Sequence, residues 1–218
     1  ILLSLEGAGP LGGSLERLEV LYHFGFRAVG LTHNHNNLAA GGCAPPSGPT
    51  RGISPFGRAL VARMERLGMA VDTAHLSRRA FSQLVDIAEK PLINSHTCCA
   101  RFVPLERNLT DSQLKDIAAS GGLAAVTYVP RFLTGQNRAT SRDVFRHLEH
   151  MVEVMGVEHV GLGSDFDGVP SLPADLTSPA DVRRLVESMV RAGWSERDIS
   201  RVLGGNWHRV LKHLLPRA

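Results

Sequence analysis

Six short apolar runs, each followed by a stretch with helical spacing, constrain this 218-residue chain more than any single residue does. The runs are Ile1–Leu5, Ala28–Leu31, Met69–Ala74, Pro91–Ser95, Leu123–Val129 and His159–Leu162. They are continuous rather than alternating, which is how parallel strands covered by helices read. Between and after them the spacing predicts helices over Ser14–Gly25, Ser54–Gly68, Ser77–Glu89, Thr110–Ala119 and Ser141–Met155. Ser178 then caps a helix toward Ala192, Ser195 another toward Leu203, and an amphipathic stretch ends the chain. Several starts carry explicit signals. Ser54-Pro55 supplies an N-cap followed by proline at the first helical position. Thr110 and Gln113 have the spacing of a capping box. A Gly/Pro-rich loop over 41–52 separates the second run from its helix.

Repeated strand–helix units make this an α/β chain, read as a single domain over 1–218. Two architectures compete, a doubly wound open sheet and a (β/α) barrel. No glycine-rich phosphate loop follows any run, so the nucleotide-binding version of the open sheet lacks support. A hydrophobic content of 43% is enough to build one substantial core. The net charge of +3 is dispersed, with no Lys/Arg block, which argues against nucleic acid as a partner. No apolar run approaches the ~20 residues of a membrane span. The opening Ile-Leu-Leu-Ser-Leu has no charged leader of a signal peptide. Cys43, Cys98 and Cys99 form no Cys-x-x-Cys pair, and free thiols in a reducing, cytoplasmic compartment are the expectation.

The residues just past the runs decide between the architectures. Glu6 follows the first run, His33 the second, His75 the third, His96 the fourth and Asp165 the sixth. In a parallel barrel these ends converge on one face, where active sites are built. Imidazoles and carboxylates are ligands for zinc-like cations, and rigid strand ends hold them in place. A lone histidine after a strand is more often a structural hydrogen-bonder, but the same residue types in the same place of successive units argue for a metal site. His147, His150, His159, His208 and His213 fall on helices or turns and read as structural. Asp72 carries no assignment.

At this point the sequence resembles a known family. Val-Asp-Thr-Ala-His-Leu-Ser (71–77), Ile-Asn-Ser-His (93–96), Arg107-Asn108 and Gly-Ser-Asp-Phe-Asp-Gly-Val (163–169) are similar to membrane dipeptidase (renal dipeptidase, peptidase M19) signatures. So are Leu-Glu-Gly (5–7), Leu-Thr-His-Asn (31–34) and Ser-Pro-Phe-Gly (54–57), and all occur in family order. The resemblance implies a (β/α)8 TIM-like barrel with two zinc ions, hydrolysing dipeptides by a metal-activated hydroxide. It also implies tolerance of a D-residue at the C-terminal position. Glu6 would bridge the metals, His75 and His96 would complete one shell, and Asp165 would bind the other metal and handle the water's proton. His33 would contact the substrate and the tetrahedral intermediate, and Arg107 would hold the substrate's terminal carboxylate. Tyr128 lies near the family's pocket. A homodimer is the partnership the resemblance implies.

One departure stands out. The family's first strand carries a His-x-Asp pair that completes the first metal's shell, and nothing here matches it. The chain resembles the family from its third strand onward, so about six of eight units are present, and the remaining ligands suffice for one zinc ion. Two alternatives follow: a metal-binding pseudoenzyme or fragment without turnover, or another amidohydrolase-type enzyme acting on cyclic amides, lactones or β-lactams. Many such enzymes use a carboxylated lysine as bridging ligand. Lys90, Lys115 and Lys212 all fall in helices or turns, which disfavours that version.

Overall fold

The computed structural model describes residues 1–44 and 51–215. Residues 45–50 of the Gly/Pro-rich loop and the last three residues lie outside the described residues. The chain forms two compact units. The first comprises Ile1–Asn94 with Ser120–Gly122 and the residues from Val210 on; the second comprises Ser95–Ala119 and Leu123–Arg209.

In the first unit, β1 (Leu3–Leu5) leads to α1 (Leu15–His23), β2 (Phe26–Gly30), α2 (Pro55–Leu67), β3 (Ala70–Asp72) and α3 (Arg78–Val85). β4 (Ile93–Thr97) begins here and ends in the second unit. Pairing is parallel and follows chain order. Leu5 lies opposite Val29, Val29 opposite Val71, Gly30 opposite Asp72, and Asp72 opposite Ile93. The helices start and stop where local chemistry dictates. Ser14, Ser54 and Ser77 each accept a hydrogen bond from a first-turn amide, and Gly68 ends α2 in the left-handed conformation. Leu18, Leu60, Met64, Phe81 and Leu84 bury the apolar stripes of these helices, and Val29, Ala70 and Val71 are their buried strand counterparts.

In the second unit, the end of β4 is followed by α4 (Asp111–Ala119), β5 (Leu123–Val126), a short α5 (Pro130–Thr134), α6 (Ser141–Met155) and β6 (Val160–Leu162). α7 (Arg183–Arg191), α8 (Glu196–Ser200) and a π-helical turn over Arg201–Gly205 follow, and α9 (Asn206–Leu214) begins in this unit and ends in the first. β5 and β6 pair in parallel, with Ala125 opposite Gly161. The Thr127 amide donates to the Thr97 carbonyl, so the segment after β5 continues beside β4. Strand order again follows chain order. A doubly wound sheet reverses its order at a switch point; successive neighbours belong to a barrel wall. The (β/α) barrel expectation therefore holds, with six strands. The expected capping box is present: Gln113 accepts from the Thr110 amide while the Gln113 amide donates to Thr110 Oγ1.

Several boundaries differ from the sequence reading, each for a visible reason. The fourth strand runs two residues later than Pro91–Ser95. Proline has no N–H to give to a ladder, and the Leu92 amide is taken by Ser120 Oγ. His96 is consequently the fourth residue of β4 rather than the residue past its end. The helix after β3 stops at Val85, short of Glu89. The helix from Ser178 begins as a 3₁₀ turn, Pro179–Val182, under a Ser178/Asp181 capping box. α5 falls within what the spacing left as a connection. Among the described residues no helix is long and apolar enough to cross a membrane.

His147, read from sequence as structural, is fully buried on α6. Its Nδ1 accepts from the Cys99 amide and its Nε2 donates to the Leu133 carbonyl, both at 2.9 Å. Burial lowers its pKa to about 4, against the opposing pull of the Leu133 bond. The folded state therefore keeps this ring neutral while the unfolded chain takes up a proton near pH 6.5. Stability from this group is full above pH 6.5 and is lost as pH falls toward 4, by on the order of 3 kcal/mol. Urea unfolding at pH 7.5 and 4.5 should show a smaller acid loss for His147→Gln than for the wild type; equal losses would show that His147 does not carry this linkage.

Candidate active site

The parallel register of β1, β2 and β3 sends three loops off one edge of the first unit. Glu6 follows Leu5 directly, His33 comes three residues after Gly30, and His75 three after Asp72. Their donor atoms lie within 4.8 Å of one another, close enough to hold a metal ion. Glu6 and His33 are exposed, and His75 is buried. His75 Nε2 is 2.9 Å from Glu6 Oε1, and the two imidazole centroids are 4.6 Å apart. The sequence reading gave His33 a substrate contact; the structure places it among the donors as well.

His75 is held at its carbonyl and at both ring nitrogens. Its carbonyl accepts from Thr32 Oγ1 and from the Cys43 amide, each at 2.9 Å. Its Nδ1 faces Asn34 Oδ1 at 3.0 Å. Its φ of 63° is in the left-handed region, uncommon for any residue with a side chain. The described non-glycine residues with positive φ are Asn34, His75, Asp165 and Asp167, all just past a strand. Such strain persists where surrounding contacts over-determine it, and it concentrates at functional sites. Gly7 has the complementary part: a Cβ there would come within 3.0 Å of the His33 amide nitrogen, so glycine lets the loop after β1 close on the loop after β2.

These residues fit a divalent cation. A neutral imidazole has one N–H, yet His75 faces an acceptor on each nitrogen. Either the ring carries both protons, or a cation takes the place of the one between Nε2 and the carboxylate. An imidazole nitrogen and a carboxylate facing one point are donors of the second kind, with the His33 ring beside them.

The second unit carries the other sequence-derived candidates. His96 is buried on β4, with Nδ1 2.7 Å from Ser95 Oγ. Arg107 is buried, donates from Nη2 to the His96 carbonyl at 2.7 Å, and lies 5.5 Å over the Phe132 ring. Tyr128 is buried edge-to-face against Phe166, and burial pushes its hydroxyl pKa up. Asp165 follows β6 at a φ of 64°. It sits in a turn closed by the Gly168 amide donating to its carbonyl. Asp72, unassigned from sequence, is buried on β3 and accepts from the Ala74 amide. Asn34 is the residue that sequence reasoning passed over. Its signal was its place beside His33 in the Leu-Thr-His-Asn stretch (31–34), where it was given no role.

Over residues 1–215 the sequence matches the family profile described as membrane dipeptidase (peptidase family M19). The chain belongs to the membrane dipeptidase family. A dipeptidase of Claviceps purpurea, tcpJ, is 34% identical over 98% of this chain and 50% of its own length. An uncharacterized dipeptidase of Schizosaccharomyces pombe is 36% identical over 97% of this chain and 52% of its own. The chain thus spans about half the length of these curated relatives. Among solved structures, a metallopeptidase of Rhodobacter sphaeroides liganded with a phosphinate mimic of the dipeptide L-Ala-D-Ala superposes with a TM-score of 0.90. It is 27% identical, covering 98% of this chain and 63% of that one. A probable dipeptidase of Pseudomonas aeruginosa, PvdM, has a TM-score of 0.94 at 23% identity and shares the fold, covering 100% of this chain and 70% of that one.

Gly168 explains part of the Gly-Ser-Asp-Phe-Asp-Gly motif. A Cβ at that position would lie 2.4 Å from Asp165 Oδ1. The carboxylate is the mobile end of a short side chain, so Gly168→Ala should displace it at little cost in stability. If Asp165 acts in catalysis, kcat should fall by about 10- to 100-fold, the scale of an ångström's misplacement, with the melting temperature nearly unchanged. Unaltered kcat would show that the carboxylate's position is not critical.

Proposed function

We propose that this chain carries the dipeptide-hydrolysing site of a metal-dependent membrane dipeptidase. The observation that carries the reading is the Glu6–His33–His75 cluster at successive strand ends in a chain of this family. Glu6 and His75 would hold zinc, with His96 and Asp165 as further ligands. When bound, the ion would polarise the scissile carbonyl and lower the pKa of the attacking water toward ~7.

The chain's own residues do the rest. Arg107 binds the substrate's terminal carboxylate through its planar guanidinium, which favours short peptides. His33 donates to the carbonyl oxygen as charge develops there during attack. Asp165 takes the proton of the attacking water and delivers it to the departing amine nitrogen as the C–N bond breaks. Water is thereby divided between the products, a free carboxylate and a free amine. The ligand of the Rhodobacter relative, a mimic of L-Ala-D-Ala, supports a D-residue at the C-terminal position of the substrate.

Hydrolysis of L-Ala-D-Ala and L-Ala-L-Ala by the zinc-loaded protein tests this reading. Glu6→Gln should lower turnover at least about 100-fold and weaken zinc binding with it, since it removes the carboxylate charge. Arg107→Lys should raise KM by more than it lowers kcat, because a lysine lacks the bidentate fork. Full activity in Glu6→Gln would overturn the assignment.

A further inference from the structure

His75 has two nitrogens and an acceptor beside each, so which nitrogen keeps the proton decides what the ring can bind. Glu6 Oε1 lies 2.9 Å from Nε2, and the Asn34 carboxamide oxygen lies 3.0 Å from Nδ1. A carboxamide oxygen offers no proton, so Nδ1 must donate to it. In the neutral ring Nε2 is then the nitrogen with a lone pair, and it faces the Glu6 carboxylate. Had the proton sat on Nε2 instead, the lone pair would point at Asn34, away from the donor cluster.

The same carboxamide reaches the other histidine. Asn34 Nδ2 is 3.4 Å from His33 Nε2, so it donates there and leaves Nδ1 as the protonated nitrogen of that ring. Cys43 Sγ donates to Asn34 Oδ1 at 3.8 Å, and the Asn34 carbonyl accepts from the Ala44 amide at 2.8 Å. Asn34 thus stands between two imidazoles with its ends turned opposite ways, oxygen toward His75 and nitrogen toward His33. Its φ of 48° puts it in the left-handed region, which asparagine tolerates better than most residues.

We propose that Asn34 is a positioning residue of this site: its carboxamide fixes the Nδ1–H form of His75, presenting Nε2 to a divalent cation, and orients His33 through its N–H. Ligating histidines are commonly held by a hydrogen bond at the far nitrogen, and here a side-chain amide serves both rings. The inference rests on the reading of Glu6 and His75 as metal-holding residues.

Two substitutions separate the carboxamide from the backbone. Asn34→Gly removes the side chain while easing the positive φ. Asn34→Asp keeps an oxygen acceptor and tolerates the same φ. Zinc affinity is read by competition with a chromophoric chelator, and the His75 ring by ¹⁵N NMR of the zinc-loaded protein. Asn34→Gly should weaken zinc by about 10- to 100-fold and lose the slowly exchanging Nδ1–H signal; Asn34→Asp should keep the signal and bind within about threefold of wild type or tighter. Unchanged zinc affinity in Asn34→Gly, or equal weakening in both variants, would overturn the proposal while leaving the metal reading intact. A wild-type chain that binds no zinc would overturn the metal reading and the proposal with it.

Discussion

Parallel pairing in register is the constraint on which the first unit depends. Leu5, Val29 and Val71 lie side by side, so the loops that follow leave one edge of the sheet at one level. Glu6, His33 and His75 meet because of that alignment, although they are far apart in the chain. A slip of one residue in β3 would turn its side chains to the other face and carry His75 with it. The strands are held against such slips by burial on both sides. Val29, Ala70 and Val71 are almost wholly shielded, so no register exposes a polar face cheaply.

The site stores strain that the fold must hold in place. His75 and Asn34 both occupy the left-handed region, and contacts on the carbonyl and ring of His75 keep it there. Isolated, each such residue costs on the order of 1–3 kcal/mol. The gain is geometric: a left-handed residue after a strand turns its side chain back over the strand's end. In the second unit Asp165 and Asp167 adopt the same conformation after β6. Two loops built alike on different strands suggest one structural solution to aiming a short polar side chain.

Much of this was legible in the sequence, and the limits are physical. α2 and α6 were readable end to end, because Ser54-Pro55, Gly68 and the long apolar spacing of Ser141–Met155 are local signals. The strands existed where apolar runs predicted them, but their ends did not follow, since ladder partners are not written in a run. β4 shows this: the ladder skips Pro91 and Leu92, and His96 enters the strand. α5 was missed because its five residues are too few to show a period. Glu6 and His75 were found from position at strand ends. Asn34 was not, because nothing in an Asn-rich loop shows that one carboxamide will reach a nitrogen of each of two imidazoles once the loop is folded. His147 was correctly read as structural, yet its full burial was invisible without the packing around Phe102 and Leu133.

The central claim is that Glu6 and His75 form a cation site, and anomalous diffraction from crystals grown with zinc tests it most directly. Data collected on either side of the zinc absorption edge should place a peak within ligand distance of a Glu6 carboxylate oxygen and His75 Nε2, about 2.0–2.2 Å from each. A protein that diffracts well yet shows no peak there, or shows zinc only on other surface groups, would contradict the account.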